Sequence, residues 1–169
     1  MISKARCLKK ALVRLTVLCA CCVWGMAHAA ENDEVAAACS QTVMDYAFYR
    51  DRPDADKVAE LFTPDASMSL LGEVFAGRGA IRDRVAAGAG GAVFRHLIST
   101  INIVVNEGGL GAQGVSYVTV YRGSASDLPQ PLPDRAMAIG EYHDRFVMSH
   151  NGCQIAERAF VPVFLPQDG

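Results

Sequence analysis

Between residues 34 and 50 the buried-type positions recur every three or four residues: Val35, Ala38, Cys39, Thr42, Val43, Tyr46 and Tyr49 fall on one stripe. That period predicts a helix over Glu34–Arg50, with Asp33 as its N-cap. The chain then turns through Asp51-Arg52-Pro53, because the proline disfavours helix for Arg52. A short second helix is expected over Asp54–Phe62, ended by Thr63-Pro64-Asp65. Ala66–Leu71 and Glu73–Phe75, parted by Gly72, read as a small hairpin. Gly77-Arg78-Gly79 leads into a third helix over Ala80–Ala87. After the connector Gly88–Gly91 the pattern changes to long strands, expected over Val93–Asn106, Gln113–Arg122, Arg135–Ser149 and Cys153–Phe164. Glu107-Gly108-Gly109, the proline-rich Gly123–Asp134 and His150-Asn151-Gly152 supply the turns between them. Helices followed by antiparallel strands predict an α+β layer fold, with helices covering one face of the sheet.

The first 29 residues stand outside this pattern. Lys4, Arg6, Lys9, Lys10 and Arg14 precede an apolar run, Leu15–Met26, and the small-x-small triplet Ala27-His28-Ala29. That is the layout of a cleavable secretory signal peptide, and the run is too short to span a bilayer. Residues 30–169 then form a single exported domain, periplasmic or secreted, without repeats. Cleavage removes five basic residues and no acidic ones, leaving 11 basic against 18 acidic and a net charge near −7. Such a domain is poorly suited to nucleic acid or anionic lipid. Of six cysteines only Cys39 and Cys153 remain. In an oxidising compartment they can pair, or they can be two separate buried small residues. Within residues 30–169 no CxxC, HExxH or His/Cys cluster suggests a metal.

Candidate chemistry begins in the strand FRHLISTINIVV, Phe94–Val105, where an imidazole interrupts an apolar run. Alternation places His96, Ile98, Thr100 and Asn102 on one face and Arg95, Leu97, Ser99 and Ile101 on the other. Tyr46 and Tyr49 are neighbours on the first helix, Asp51 lies just past its end, and Gly140, Tyr142 and Asp144 share a face of the third long strand. If helix and sheet pack together, an aspartate, a histidine and tyrosines meet in one cavity. A neutral imidazole takes and returns protons near neutral pH, a carboxylate orients it, and a tyrosine hydroxyl donates to a developing oxyanion. A satisfied core histidine among packing tyrosines is the other reading of the same residues.

Four stretches in order, YAFYRDRPDADKVAELFTPDA, FAGRGAIRDRV, RHLIST and GEYHDRFVMSHNGCQIAER, resemble the SnoaL-like branch of the nuclear-transport-factor-2-like superfamily, from about Thr42 to Phe160. The resemblance implies a cone: a curved antiparallel sheet folded over about three N-terminal helices around an apolar pocket. In dehydratases of this branch a strand histidine and an aspartate after the first helix form an acid–base pair, and His96 and Asp51 stand in those places. Tyr46 matches a tyrosine that polarises a substrate oxygen in some of them. Arg158 falls where an arginine lines the pocket or makes a structural ion pair. Thr100 stands where the family often has asparagine, Cys153-Gln154 replaces a tryptophan–arginine pair, and Ser67–Leu71 supply no second tyrosine.

Two functions follow as expectations. One is a cofactor-independent lyase or isomerase, with Asp51, His96 and Tyr46 catalytic and Tyr49, Thr100, Tyr142 and Arg158 binding a small apolar cyclic or carbonyl substrate. The other is a non-catalytic small-molecule-binding or accessory domain. Apolar positions on both faces of FRHLISTINIVV predict a homodimer through the sheet face the helices leave open.

Overall fold

The structure, a computed structural model, describes residues 30–88, 90–130 and 136–166. The leader assigned to residues 1–29 lies outside the described residues, as do 131–135 of the proline-rich turn. Val35–Gly169 form one unit. Helix α1 is helical over residues 30–50, so Asp33 lies inside it and is not its N-cap. Its buried stripe, Val35, Cys39, Val43, Tyr46, Ala47 and Arg50, follows the expected spacing. α2 is Ala55–Glu60, shorter than expected, with the Asp54 carboxylate accepting from the Lys57 amide at 3.0 Å. α3 is Arg78–Ala87, beginning two residues early. Among the described residues no helix is long and apolar enough to cross a membrane.

The six strands are β1 (Phe62–Leu70), β2 (Glu73–Ala76), β3 (Ala92–Val105), β4 (Gly111–Ser124), β5 (Ala136–Ser149) and β6 (Gly152–Phe164). Thr63-Pro64-Asp65 is a stretch of β1 and not the turn its composition suggests. The ladder with β6 is irregular between Phe62 and Ser67, and such a break is where a strand tolerates proline. The order is β2-β1-β6-β5-β4-β3. One ladder corrects the expectation of a purely antiparallel sheet: β1 and β6 run parallel, so the curved, open sheet is mixed. The reason is topological. From β2 the chain passes through α3 to the far edge of the sheet, and three hairpin-joined strands bring β6 back against β1.

A bulge in β3 also changes which residues face inward. Thr100 has φ +50° and the register with β4 shifts between Ser99 and Ile101. His96 and Ile98 point to the core before the bulge; Ile101, Ile103 and Val105 do so after it, while Thr100 and Asn102 are exposed. Simple alternation cannot anticipate this, because one extra residue inverts every position that follows. Strands crowd closely elsewhere too: a Cβ on Gly140 would run into the Val161 carbonyl oxygen and lie 2.8 Å from the Phe160 ring.

The core lies between the helices and the inner face of the sheet, with Val43, Tyr46, Val58, Phe62, Ile81, Phe146 and Ile155 at its centre. Cys39 and Cys153 are paired, with Cα atoms 5.1 Å apart, which settles the alternative left open by their spacing. The bridge ties α1 to β6, and Thr42 reinforces it by donating to the Cys153 carbonyl at 2.8 Å.

Candidate active site

Helix α1 ends where its chemistry begins. The Asp51 amide still donates to the Ala47 carbonyl, and Arg52 and Asp54 donate to Tyr49, so the turn is tight and holds the Asp51 side chain over β3. There it meets His96. Asp51 Oδ1 lies 2.6 Å from His96 Nδ1, and the two carboxylate oxygens accept from the His96 backbone N–H at 3.1 and 3.0 Å. The side chains of His96 and Asp51 are 6% and 12% exposed. A carboxylate only accepts, so Nδ1 carries a proton, and in the neutral imidazole Nε2 is the nitrogen with the lone pair. Nε2 has no partner among the described residues, and His96 lines a cavity.

That cavity is about 100 Å³, bounded by Tyr46, Arg50, His96, Tyr142 and Arg84 together with Leu70, Leu71, Val120, Met137, Ala138 and Phe160. It is small beside the roughly 300–1,000 Å³ of ordinary ligand sites, so only a compact substrate enters without movement of the rim residues Leu71 and Met137. A larger concavity of about 700 Å³ lies on the outer face of the sheet, around Asn102, Gln113, His143, Arg145 and Glu157. It reaches neither His96 nor Asp51, so the Asp51–His96 pair goes with the smaller one.

The candidates drawn from the sequence divide. Asp51, His96, Tyr46 and Tyr142 are brought together. The Tyr46 ring sits edge-on to His96 at 6.4 Å, to Tyr142 at 5.6 Å and to Phe62 at 6.1 Å. Its hydroxyl is turned to the Met68 sulfur, 3.8 Å away, a weak acceptor that holds it loosely. Burial pushes the Tyr142 phenol well above its ordinary value, so it stays a neutral hydroxyl. Tyr49 packs against Phe48 at 5.3 Å and does not line the cavity. Thr100, exposed at its bulge, is not part of the site.

Arg158 takes the ion-pair role. Its Nε and Nη2 donate to Asp144 Oδ1 and Oδ2, both at 2.7 Å, and the two side chains are 0% and 1% exposed. Its guanidinium carbon lies 4.2 Å from the Tyr46 ring centre and 4.3 Å from that of Tyr142. Burial works against the charge, but the Asp144 carboxylate outweighs it and holds the guanidinium protonated. Arg158 thus supports the aromatic wall from behind.

Sequence reasoning passed over Arg50 and Arg84. Arg50 falls four residues after Tyr46 on the buried stripe of α1, and Arg84 three after the buried Ile81 on α3. Helical spacing could have found both, but arginine is ordinarily a surface residue. Among the described residues no cluster of three His, Cys, Asp or Glu side chains could hold a metal ion.

A helix-filled, curved sheet with a polar pair at the mouth of its interior defines a nuclear-transport-factor-2-like domain of α+β class. Within that class, residues 33–159 match the SnoaL-like domain, and the chain belongs to this family. Among solved structures it is similar to Rv3472, a function-unknown protein of Mycobacterium tuberculosis: TM-score 0.67, 26% identity, 76% of this chain and 71% of that one. It also shares its fold with a proposed scytalone dehydratase of Novosphingobium aromaticivorans: TM-score 0.64, 21% identity, 75% of this chain and 83% of that one. The beta subunit of a proposed aromatic-ring-hydroxylating dioxygenase from the same organism has TM-score 0.64 and 20% identity, over 83% and 94% of the two chains. No curated protein matches the chain.

Proposed function

We propose that this protein is an exported, cofactor-independent lyase or isomerase that moves a proton within a small cyclic or carbonyl substrate, as dehydratases do. One observation carries the reading: Asp51 fixes His96 through Nδ1 at 2.6 Å, leaving the basic Nε2 for the cavity. In a dehydration, Nε2 takes the proton from the carbon beside the carbonyl. The imidazolium, balanced by Asp51, then returns it to the departing hydroxyl, so water leaves and a conjugated double bond remains. Tyr142, neutral and at the cavity wall, donates to the carbonyl oxygen as charge builds there; Tyr46 can join it by releasing Met68.

The test is a double-mutant cycle on turnover of a panel of hydroxylated cyclic ketones and acids, such as 3-hydroxycyclohexanone followed by enone absorbance. His96→Ala and Asp51→Asn should each cost on the order of 10²–10⁴-fold, and the double variant little more than either. Additive effects would separate the two residues and end the dyad.

A second reading has its own support. Asp51 also accepts from the His96 backbone N–H, which braces the end of α1 on β3 whether or not a proton moves. A binding or accessory domain would use the pair that way, and both variants would then lower the melting temperature while ligand affinity stayed the same.

Export draws support from the leader sequence and from the Cys39–Cys153 bridge, since such bonds persist in oxidising compartments. A homodimer draws support from the outer sheet face. Leu97, Val104, Tyr117 and Val161 are exposed there beside the Arg145–Glu157 ion pair. A face that carries apolar groups and both signs of charge complements a second copy of itself about a two-fold axis. Protein recovered from the exported fraction should lack residues 1–29 by intact mass and sediment as a dimer. A full-length mass would end the first claim, and a monomer throughout the micromolar range the second.

A further inference from the structure

Two cations face the cavity without a counter-charge among the described residues. Arg50 is only 9% exposed and Arg84 is half-buried; both line the same cavity as His96. The ion pairs among the described residues engage Lys57, Arg82, His96, His143, Arg145 and Arg158, but neither of these two. Arg50 Nη1 is fully buried and has no hydrogen-bond partner among the described residues. The two guanidiniums also converge. A Cβ on Gly88 would stand 3.1 Å from Arg50 Nη2 and 3.1 Å from Arg84 Nη1, so the groups are separated by no more than twice that distance. Their other contacts are with ring faces: the Arg50 guanidinium carbon lies 4.5 Å from the Phe94 centre and that of Arg84 5.7 Å from Phe75.

Two like charges converging on one point, one of them buried with an idle donor, repel each other and lack hydrogen bonds that water would supply. An anion between them removes both costs at once. Guanidinium forks suit a planar carboxylate, which accepts two parallel N–H bonds. The remaining wall, with Leu70, Val120 and Phe160, is apolar and unsuited to a fully hydrated inorganic ion. We propose that Arg50 and Arg84 form a carboxylate-binding subsite, so the ligand of this cavity is a small organic acid with an apolar ring or chain. The inference rests on the assignment of the site to this cavity. It adds the substrate class: the acid group is held at the two arginines while the apolar body lies towards His96.

Gly88 supplies a clean probe of the subsite. It closes α3 with φ −77°, a conformation alanine adopts freely, and the atoms a methyl would meet first are the far ends of two flexible arginines. Gly88→Ala should therefore fold, yet fill the space where the carboxylate bridges. Benzoate, with benzamide as its neutral counterpart, is titrated against the mature protein at low salt and followed by NMR chemical shifts of residues around the cavity. Benzoate should bind at least about tenfold more tightly than benzamide. Arg50→Gln, Arg84→Gln and Gly88→Ala should each abolish most of that preference, and His96→Ala should keep it. Equal binding of the two probes overturns the subsite. So does no benzoate binding up to about 50 mM, weaker than any ordinary site, or a preference that survives all three substitutions. The outcome is separable from the acid–base reading. Turnover indifferent to His96 with benzoate still preferred removes the reaction and leaves the subsite. Turnover dependent on His96 with no benzoate preference does the reverse.

Discussion

Two aspartate pairs, one with an arginine and one with a histidine, sit on either side of one aromatic wall, and they are built for different ends. Asp144 and Arg158 are sealed: both carboxylate oxygens are taken by Arg158 at 2.7 Å and the side chains are 1% and 0% exposed. Asp51 and His96 are matched through a single ring nitrogen at 2.6 Å, and the other nitrogen stays available to a cavity. The first pair is closed off: its one unspent donor, Arg158 Nη1, is itself buried without a partner among the described residues. The second is held as firmly but keeps one functional atom free. A buried polar pair is therefore no sign of catalysis in itself; what matters is whether an atom left unspent by the internal partners belongs to a residue that lines a cavity. Tyr46 and Tyr142 connect the two, since their rings stack on the Arg158 guanidinium from one side and bound the cavity on the other.

The contrast can be broken experimentally. The largest expected effects come from exchanging the readouts of the two pairs. His96→Ala should cost turnover on the order of 10²–10⁴-fold with little loss of folding stability. Asp144→Asn should do the opposite. It leaves Arg158 buried and poorly balanced, for which a loss of about 3–5 kcal/mol is expected in urea unfolding, with turnover per folded molecule kept within an order of magnitude. If Asp144→Asn folds normally and loses turnover instead, the sealed pair belongs to the chemistry and the two pairs do not differ in role. Tyr46→Phe sharpens the comparison with the smallest effect. Its hydroxyl meets only the Met68 sulfur at 3.8 Å, so stability should change by less than about 1 kcal/mol. A fall in turnover of less than about tenfold would show that the hydroxyl reaches the substrate as one donor among several. A fall as large as that of His96→Ala would make Tyr46, rather than Tyr142, the principal donor.

Much of this arrangement was legible before the structure. Local periodicity located three helices and six strands, because a 3.6-residue stripe and the long β-rich runs each reflect a single buried face. The placing of Asp51 against His96 followed from resemblance to a family, since two residues 45 positions apart carry no geometric signal of their own. The two boundaries that failed around the start of β1 share one cause. Thr63-Pro64-Asp65 looks like a turn, and Asp54–Phe62 like a longer helix, because local chemistry favours both. In the fold, the Ile155 amide donates to the Leu61 carbonyl at 2.8 Å and draws the chain into β1 early.

The amino-acid order by itself determined the layers of this protein, an aspartate at a helix's end and a histidine at a strand's mouth as separate candidates, and the presence of two cysteines after residue 29. Those are matters of local pattern, spacing and residue type. Tertiary structure alone decided the rest: the parallel β1–β6 ladder, the union of Cys39 with Cys153, the inversion of β3 at Thr100, the sealing of Arg158, and the convergence of Arg50 and Arg84 on Gly88. Each depends on which distant segments lie side by side. One extra residue in a strand, or the angle at which a helix crosses a sheet, redirects a side chain from solvent to cavity, and no property of the neighbouring residues records that choice.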